Sequence, residues 1–207
     1  MNLLKEHFER CLNATYEERE NGASVACERE GDCLYLLFQH SKGTTDWLNN
    51  LNFHAVPYKS MNPVWQRHGG FLKAWSGAEP FVEETLERSV REGIREVCVI
   101  GYSHGAALAV LCHEWVWYRY PAFRARLSGF GFGCPRVLYG CATAELALRW
   151  ERFFTVRNLD DAVTHLPPKA MGFCHVGNLV EIGKLGKYSA IDAHRPESYL
   201  KELSDLS

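Results

Sequence analysis

Apolar and polar positions follow two different periods along this chain, and the first forty residues already contain both. Up to about residue 20, apolar side chains recur at helical spacing between charged ones, which predicts an amphipathic helix that ends at Asn21-Gly22. Residues 24–29 and 33–39 are typical of two strands, and the turn residues 30–32 lie between them. This order predicts a β-hairpin.

Helices and strands alternate through the rest of the chain. A helix from about 79 to 92 leads into a short, apolar, β-branched run at 97–100, which is typical of a central parallel strand. The order of strand, long helix and strand predicts a βαβ crossover, and therefore an α/β fold with a mostly parallel central sheet flanked by helices. The other predicted elements are extended segments near 56–58 and 64–65, a helix ending near 120, strands at 127–134 and 153–157, a helix at 142–150, a loop at 159–168, weaker strands at 174–176 and 179–182, and a final helix from 196.

Three alternate glycines, Gly129, Gly131 and Gly133, imitate a dinucleotide-binding fingerprint. A loop of that kind opens directly into a helix, whereas Cys134-Pro135 interrupts the chain here. We therefore predict a strand whose glycines permit close packing.

The central strand runs directly into the pattern G-x-S-x-G at residues 101–105, and then into a helix that begins with small residues. A strand that turns sharply into a helix presents the serine Oγ above the sheet, and the flanking glycines let the backbones pass closely. The first N–H groups of such a helix point at negative charge that develops beside that oxygen. Ser103 is therefore a candidate nucleophile, and the alternative is a glycine-bounded turn with an incidental serine.

Composition and charge narrow the function classes. At 207 residues the chain can bury a sizeable core, and we expect one domain over residues 1–207. The 23 Lys+Arg and 25 Asp+Glu residues leave no basic surplus, so we expect no nucleic-acid partner. No signal-like run begins the chain and no stretch of 18 apolar residues occurs, which predicts a cytoplasmic protein without a transmembrane segment.

The eight cysteines are scattered through apolar runs without a C-x-x-C pair, and we expect reduced core thiols. A metal site is not expected, because His113-Glu114 lacks a second histidine four residues on, where Trp117 stands.

Five blocks of residues resemble the class 3 lipase family, the fungal triacylglycerol lipase type within the α/β-hydrolase superfamily. The resemblance spans roughly residues 30–200 and implies an α/β-hydrolase fold, an acyl-ester or lipid substrate and no cofactor. The blocks are Phe38-Gln39-His40-Ser41 with Asp46-Trp47-Leu48, His68-Gly69-Gly70-Phe71, Gly101 to Ala109, Gly133-Cys134-Pro135-Arg136-Val137, and Asn158 to Val163 with Leu166-Pro167-Pro168.

A serine hydroxyl is a weak nucleophile at neutral pH, so it needs an imidazole base, which in turn needs a carboxylate. The acid and then the histidine follow the serine along the chain in α/β-hydrolases. Asp160 and Asp161 both follow a predicted strand, and the histidines beyond them are His165, His175 and His194. The resemblance implies Asp161 as the acid and His194 as the base, with Asp160 capping the loop and His175 structural.

The resemblance also implies an oxyanion hole, made by the backbone N–H of His104 and by the N–H and hydroxyl of Ser41. Residues 44–51 follow that serine and read as a short helix with Trp47, Leu48 and Leu51 on one side, where the family carries a lid. The alternative is a fixed helix with Trp47 in the core.

This chain departs from the usual family residues at several positions, and these changes bear on pocket shape and substrate. The departures are Gln39-His40 for Arg-Gly, Tyr102 for histidine, His104 for leucine and Ala106 for glycine. Two function classes remain open. One is a serine ester hydrolase with transient contact to a lipid interface, and the other is a catalytically weak or inactive lipase-like binding or signalling module. The oligomeric state is not predicted.

Overall fold

The computed structural model describes residues 2–40, 54–58, 66–140 and 147–206. Four α-helices lie in these ranges: α1 Leu3–Asn13, α2 Gly69–Arg91, α3 His104–Arg119 and α4 Pro196–Ser204. Short 3₁₀ helices lie at Glu20–Gly22, Pro121–Arg126, Leu148–Trp150, Ala162–His165, Lys169–Met171 and Asp192–His194. Within the described ranges, no helix is both long and apolar enough to cross a membrane.

Eleven strands lie in the same ranges. They are β1 Glu17–Glu18, β2 Ala23–Glu30, β3 Cys33–His40, β4 Ala55–Pro57, β5 Gln66–His68, β6 Glu96–Tyr102, β7 Leu127–Phe132, β8 Leu138–Tyr139, β9 Phe153–Asn158, β10 Phe173–Cys174 and β11 Asn178–Ile182. The main sheet has the order β1-β2-β3-β6-β7-β9-β11, and a smaller antiparallel sheet has the order β10-β8-β5-β4.

The main sheet confirms the predicted hairpin and crossover. β2 and β3 pair antiparallel, whereas β3, β6, β7, β9 and β11 run parallel to one another. α2 connects β3 to β6, as the predicted crossover requires. Because the parallel strands end at one edge of the sheet, the residues that follow β6, β9 and β11 converge there although they are distant in sequence.

The core lies on both faces of this sheet. On one face α2 and α3 bury large side chains such as Trp75 and Trp115, and on the other α1 and α4 bury Phe8 and Tyr199. Strand residues alternate between the two clusters, since Val99 belongs to the first and Ile100 to the second. Burial on both faces explains the unbroken apolar run of β6.

Two helix boundaries differ from the predictions. α1 ends at Asn13 instead of residue 20, because Ala14 is already extended and β1 pairs with β2. α2 begins ten residues earlier than predicted, at Gly69 in place of Glu79. The His68 side chain caps the first turn of α2 by accepting the Phe71 N–H at 3.4 Å. Gly69 and Gly70 therefore begin the helix instead of ending a loop.

Other predicted elements agree in position with the structure or lie outside the described residues. β7 contains Gly129 and Gly131, and a Cβ at Gly129 would collide with the Phe153 ring, which confirms close packing there. The strand ends at Phe132 instead of residue 134, and Gly133 follows it with φ 57°. The predicted helix at 44–51, residues 64–65 and most of the predicted helix at 142–150 lie outside the described residues, while Leu148–Trp150 is a 3₁₀ turn. The seven cysteines in the described ranges are free thiols.

Candidate active site

The turn between β6 and α3 holds Ser103 in a backbone conformation that few side chains adopt, with φ 58° and ψ −125°. Its N–H donates to the Phe132 carbonyl at 2.9 Å, which ties the turn to β7. A Cβ at Gly101 would collide with the Gly105 carbonyl, and a Cβ at Gly105 would collide with the Phe38 carbonyl. Both glycines of G-x-S-x-G are therefore required by close backbone approach, as in a nucleophile elbow.

The structure brings Ser103, His194 and Asp161 together. The Ser103 Oγ lies 2.8 Å from His194 Nε2, and His194 Nδ1 lies 2.8 Å from Asp161 Oδ2. Asp161 is fully buried in the loop that follows β9, and His194 ends the 3₁₀ turn that precedes α4. Because Asp161 accepts at Nδ1, the neutral imidazole keeps Nε2 free to accept the serine proton.

The other acidic and histidine candidates have different partners. Asp160 accepts the N–H groups of Gly186, Lys187 and Tyr188 at 2.8, 2.9 and 3.0 Å. These bonds lower the pKa of Asp160, and the bond from the Tyr188 N–H has the largest effect. They also fix the loop after β11. His175 donates from Nε2 to the Thr164 carbonyl at 2.8 Å, and burial lowers its pKa to about 4. Burial also lowers the pKa of His165, and its carbonyl accepts from Arg136.

Two further groups hold the Asp161 carboxylate. The Tyr199 hydroxyl donates to Oδ2 at 2.6 Å and accepts the Asn158 N–H at 3.1 Å, while the Val163 N–H donates to Oδ1 at 2.9 Å. Tyr199 is fully buried, and burial raises the pKa of its hydroxyl well above the usual value. Sequence reasoning did not assign Tyr199 a role. The only available signal was that a tyrosine on the buried face of the last helix needs a partner for its hydroxyl.

The predicted oxyanion donors are only partly within the described residues. His104 is the first residue of α3, is buried, and packs its ring edge-on to Phe71 with centroids 5.4 Å apart. Its backbone N–H belongs to the first turn of a helix, where N–H groups lack intrahelical partners. The predicted second donor Ser41 and the lid candidates Trp47, Leu48 and Leu51 lie outside the described residues.

Comparison with known families gives a match to the class 3 lipase model over residues 35–171. The chain belongs to the class 3 lipase family. The matched span contains Ser103 and Asp161 and ends before His194. The family prediction from five short blocks is therefore confirmed.

Individual relatives extend this comparison. The chain is 28% identical to a lipase of Rhizomucor miehei over 163 residues, which is 76% of this chain and 44% of that protein. It is also 28% identical to a lipase of Rhizopus niveus over 152 residues, covering 70% and 37% of the two chains. The chain thus spans less than half the length of these curated relatives.

The solved structure of the R. miehei triacylglyceride lipase resembles this chain with a TM-score of 0.71 at 23% identity, covering 83% of this chain and 68% of that one. This likeness confirms the α/β-hydrolase fold. The sheet order and the flanking helices described above agree with it.

Proposed function

We propose that this class 3 lipase family member is a carboxylic-ester hydrolase that cleaves acylglycerols or related acyl esters through an acyl-enzyme. Ser103 is the nucleophile, His194 the base and Asp161 the acidic partner. The observation that carries the proposal is the unbroken relay of two 2.8 Å contacts from the Ser103 Oγ through the imidazole to the buried carboxylate. A serine at an elbow with such a relay has the arrangement needed for acyl transfer.

In the first half-reaction the Ser103 Oγ attacks the ester carbonyl carbon while its proton passes to His194 Nε2. The tetrahedral intermediate then breaks the ester C–O bond, and the departing alcohol oxygen takes that proton. Water attacks the acyl-enzyme with His194 again acting as base. The carboxylic acid leaves as Ser103 regains its proton, so the cycle uses no cofactor.

Asp161 has two tasks in this cycle. Its carboxylate fixes the tautomer in which His194 Nδ1 carries the proton, and it stabilises the imidazolium that forms after proton transfer. The Val163 N–H and the Tyr199 hydroxyl stabilise the negative charge and the orientation of the carboxylate in a site that excludes water. The positive charge of His194 therefore forms next to a carboxylate that is already oriented.

The developing oxyanion needs preorganised donors. We assign the backbone N–H of His104 as one of them, since it follows the nucleophile at the start of a 16-residue helix whose dipole favours negative charge. Ser41 completes the pair by family resemblance.

The substrate class rests on the relatives, which are named lipases, one of them a triacylglyceride lipase. Since the chain spans less than half the length of the curated relatives, the transfer to acylglycerols is part of the proposal. A single domain over residues 1–207 and transient contact with a lipid interface are also proposed, the latter with residues 44–51 as the candidate lid. A catalytically weak binding module is disfavoured, because it would not require a serine in a strained backbone conformation aligned with an imidazole and a buried carboxylate.

Fluorophosphonate labelling of the purified protein tests this proposal, followed by hydrolysis of an ester series of increasing acyl length. Ser103→Ala should abolish labelling and lower kcat by several orders of magnitude, because only binding and the oxyanion donors remain. Ser76→Ala is the matched control, since Ser76 is exposed on α2 and its hydroxyl bonds to the Lys73 carbonyl. Hydrolysis by Ser103→Ala at the wild-type rate would refute the proposal. A wild-type protein that neither labels nor hydrolyses any ester would favour the binding module.

A further inference from the structure

Tyr102, the last residue of β6, contacts the proposed base in two ways. Its ring stacks on the His194 imidazole with centroids 5.3 Å apart and planes inclined by 23°. Its hydroxyl donates to the backbone carbonyl of His194. One side chain, directly before the nucleophile in sequence, thus holds both the ring and the main chain of the base.

The Tyr102 ring is itself fixed from behind. Phe8 of α1 meets it edge-on at 5.4 Å and 72°, and Tyr199 of α4 meets it edge-on at 6.1 Å. Phe8 also contacts Phe132 at 4.7 Å, and all three of these neighbours are fully buried. A turn of the Tyr102 ring away from His194 would open a void in this cluster, which close-packed cores resist.

The stacking partner changes charge during the reaction. His194 is neutral before proton transfer and becomes an imidazolium while the tetrahedral intermediate exists. A cation over the face of an aromatic ring is attracted by the ring quadrupole, whereas a neutral ring gains only ordinary stacking. An interaction that strengthens as the cation forms stabilises the transition state more than the ground state. It therefore lowers the activation barrier of the chemical step.

Other charged groups around His194 must be included in this argument. Asp161 lies at Nδ1, and Asp192 on the same 3₁₀ turn is paired with Arg195 at 3.2 Å. From α4, Glu197 acts electrostatically on Tyr102. These carboxylates are present in every Tyr102 variant, so a comparison of two variants that both lack the hydroxyl separates the effect of the ring face from theirs.

We propose that Tyr102 is a positioning residue for His194, which fixes its main chain through the hydroxyl and stabilises the imidazolium through the ring face. The inference rests on the proposed function, in which His194 is the base. It goes beyond the family match, since His194 and Phe8 lie outside the matched residues 35–171.

Two measurements test this inference on Tyr102→Phe, Tyr102→Leu and a variant with pentafluorophenylalanine at position 102. The first is the pH profile of kcat/KM on a soluble short-chain ester, and the second is an NMR titration of the His194 ring. Phenylalanine keeps the ring face, so the acid limb and the NMR midpoint should stay in place while kcat falls about threefold to tenfold from the lost hydroxyl bond. Leucine removes the ring, so both midpoints should move to lower pH by about half a unit to one unit, with kcat about 5- to 30-fold lower and KM unchanged.

Pentafluorophenylalanine has the shape of phenylalanine with the opposite quadrupole, so both midpoints should move to lower pH as they do with leucine. This variant keeps the test available if the leucine variant fails to fold. Tyr139→Leu is the matched control, since it removes a tyrosine that packs edge-on against Phe173 in the smaller sheet and should move neither midpoint. Equal midpoints in the phenylalanine and pentafluorophenylalanine variants would overturn the ring effect. The NMR titration does not depend on hydrolysis, so a failure of the proposed function and a failure of this inference are distinguishable.

Discussion

We expect His113→Phe to stabilise the protein increasingly as the pH falls. His113 lies on α3 with 1% of its surface exposed, stacked on Trp150 at 5.2 Å and edge-on to Phe153 at 5.2 Å. Neither ring nitrogen has a hydrogen-bond partner among the described residues. Burial, with the charge of Arg149 as a smaller cause, lowers the pKa of His113 to about 3. The folded protein therefore holds this imidazole neutral over most of the acid range.

A pH-independent and a pH-dependent effect set the change in unfolding free energy that His113→Phe causes. At pH 7.5, replacing a buried polar ring without partners removes a desolvation cost of about 1–3 kcal/mol, and the larger phenyl ring costs about 1 kcal/mol or more in overpacking. These effects partly cancel. The pH-dependent contribution to the unfolding free energy has no opposing counterpart. Below about pH 6.5 the unfolded chain binds a proton at His113, whereas the folded chain does not. At pH 5 this difference destabilises the wild type by about 2 kcal/mol, and phenylalanine abolishes it.

Urea unfolding at pH 7.5, 6 and 5 measures both parts. The gap in unfolding free energy between His113→Phe and the wild type should grow by about 2 kcal/mol from pH 7.5 to pH 5. Val110→Ala on the same helix is the control, because it removes buried apolar atoms without changing any titrating group, so its cost should be the same at each pH. A gap for His113→Phe that stays constant with pH would refute the reasoning, and a large constant loss would reveal a hydrogen bond to the His113 ring.

Two other predictions follow from the site. Tyr199→Phe should lower the free energy of unfolding by about 1.5–3 kcal/mol and kcat/KM about tenfold. The change removes a donor from Asp161 and leaves the buried Asn158 N–H without its acceptor. An unchanged urea unfolding curve and an unchanged rate would count against a role for Tyr199 in holding Asp161. If residues 44–51 act as a lid, activity on a poorly soluble ester should rise sharply above its solubility limit, and Leu48→Ser should reduce that rise while sparing a soluble ester. A smooth saturation curve in both proteins would favour the fixed helix.

Local chemistry explains which parts of the fold the sequence could predict. The elbow is marked by two glycines that the backbone requires, the hairpin by its turn residues, and α4 by Pro196 at its first position. Each of these signals lies within a few residues of the element it marks. The choice of Asp161 over Asp160 had no such signal, since both follow the same strand, and it came from family resemblance.

The misplaced boundaries have a different cause. α1 ends early because residues 17–18 pair with β2, and α2 starts early because His68 caps it while Phe71 and Trp75 find partners in the core. Both outcomes depend on contacts with distant segments. A helical pattern read along the chain carries no information about them.

Glu114, in the second half of α3, is another residue whose role depends on contacts with distant segments. Its place beside His113 in the sequence suggests only a metal ligand, whereas in the structure Glu114 is a fully buried ion-pair partner. It accepts from Arg67 of β5 at 3.1 Å and lies 2.8 Å from the Arg149 guanidinium, which also donates to Tyr118. A buried ion pair is weak evidence for net stability, but removing one partner leaves an uncompensated charge and costs about 3–5 kcal/mol.

Those ion pairs contribute to the position of α3, together with its apolar packing in the core. At its first turn, α3 is fixed by the close approach of Gly105 to the Phe38 carbonyl, which leaves no room for a Cβ. Nearer its last turn, Glu114 joins it to the smaller sheet through Arg67 and to the segment before β9 through Arg149. Ser103 directly precedes α3, and its Oγ lies 2.8 Å from His194 Nε2, so the anchors that hold the helix axis add to the bond from the Ser103 N–H to the Phe132 carbonyl in placing the nucleophile. The pattern G-x-S-x-G specifies the first turn of this helix at the sheet edge, whereas the contacts made by Glu114 near its other end are not visible in that pattern.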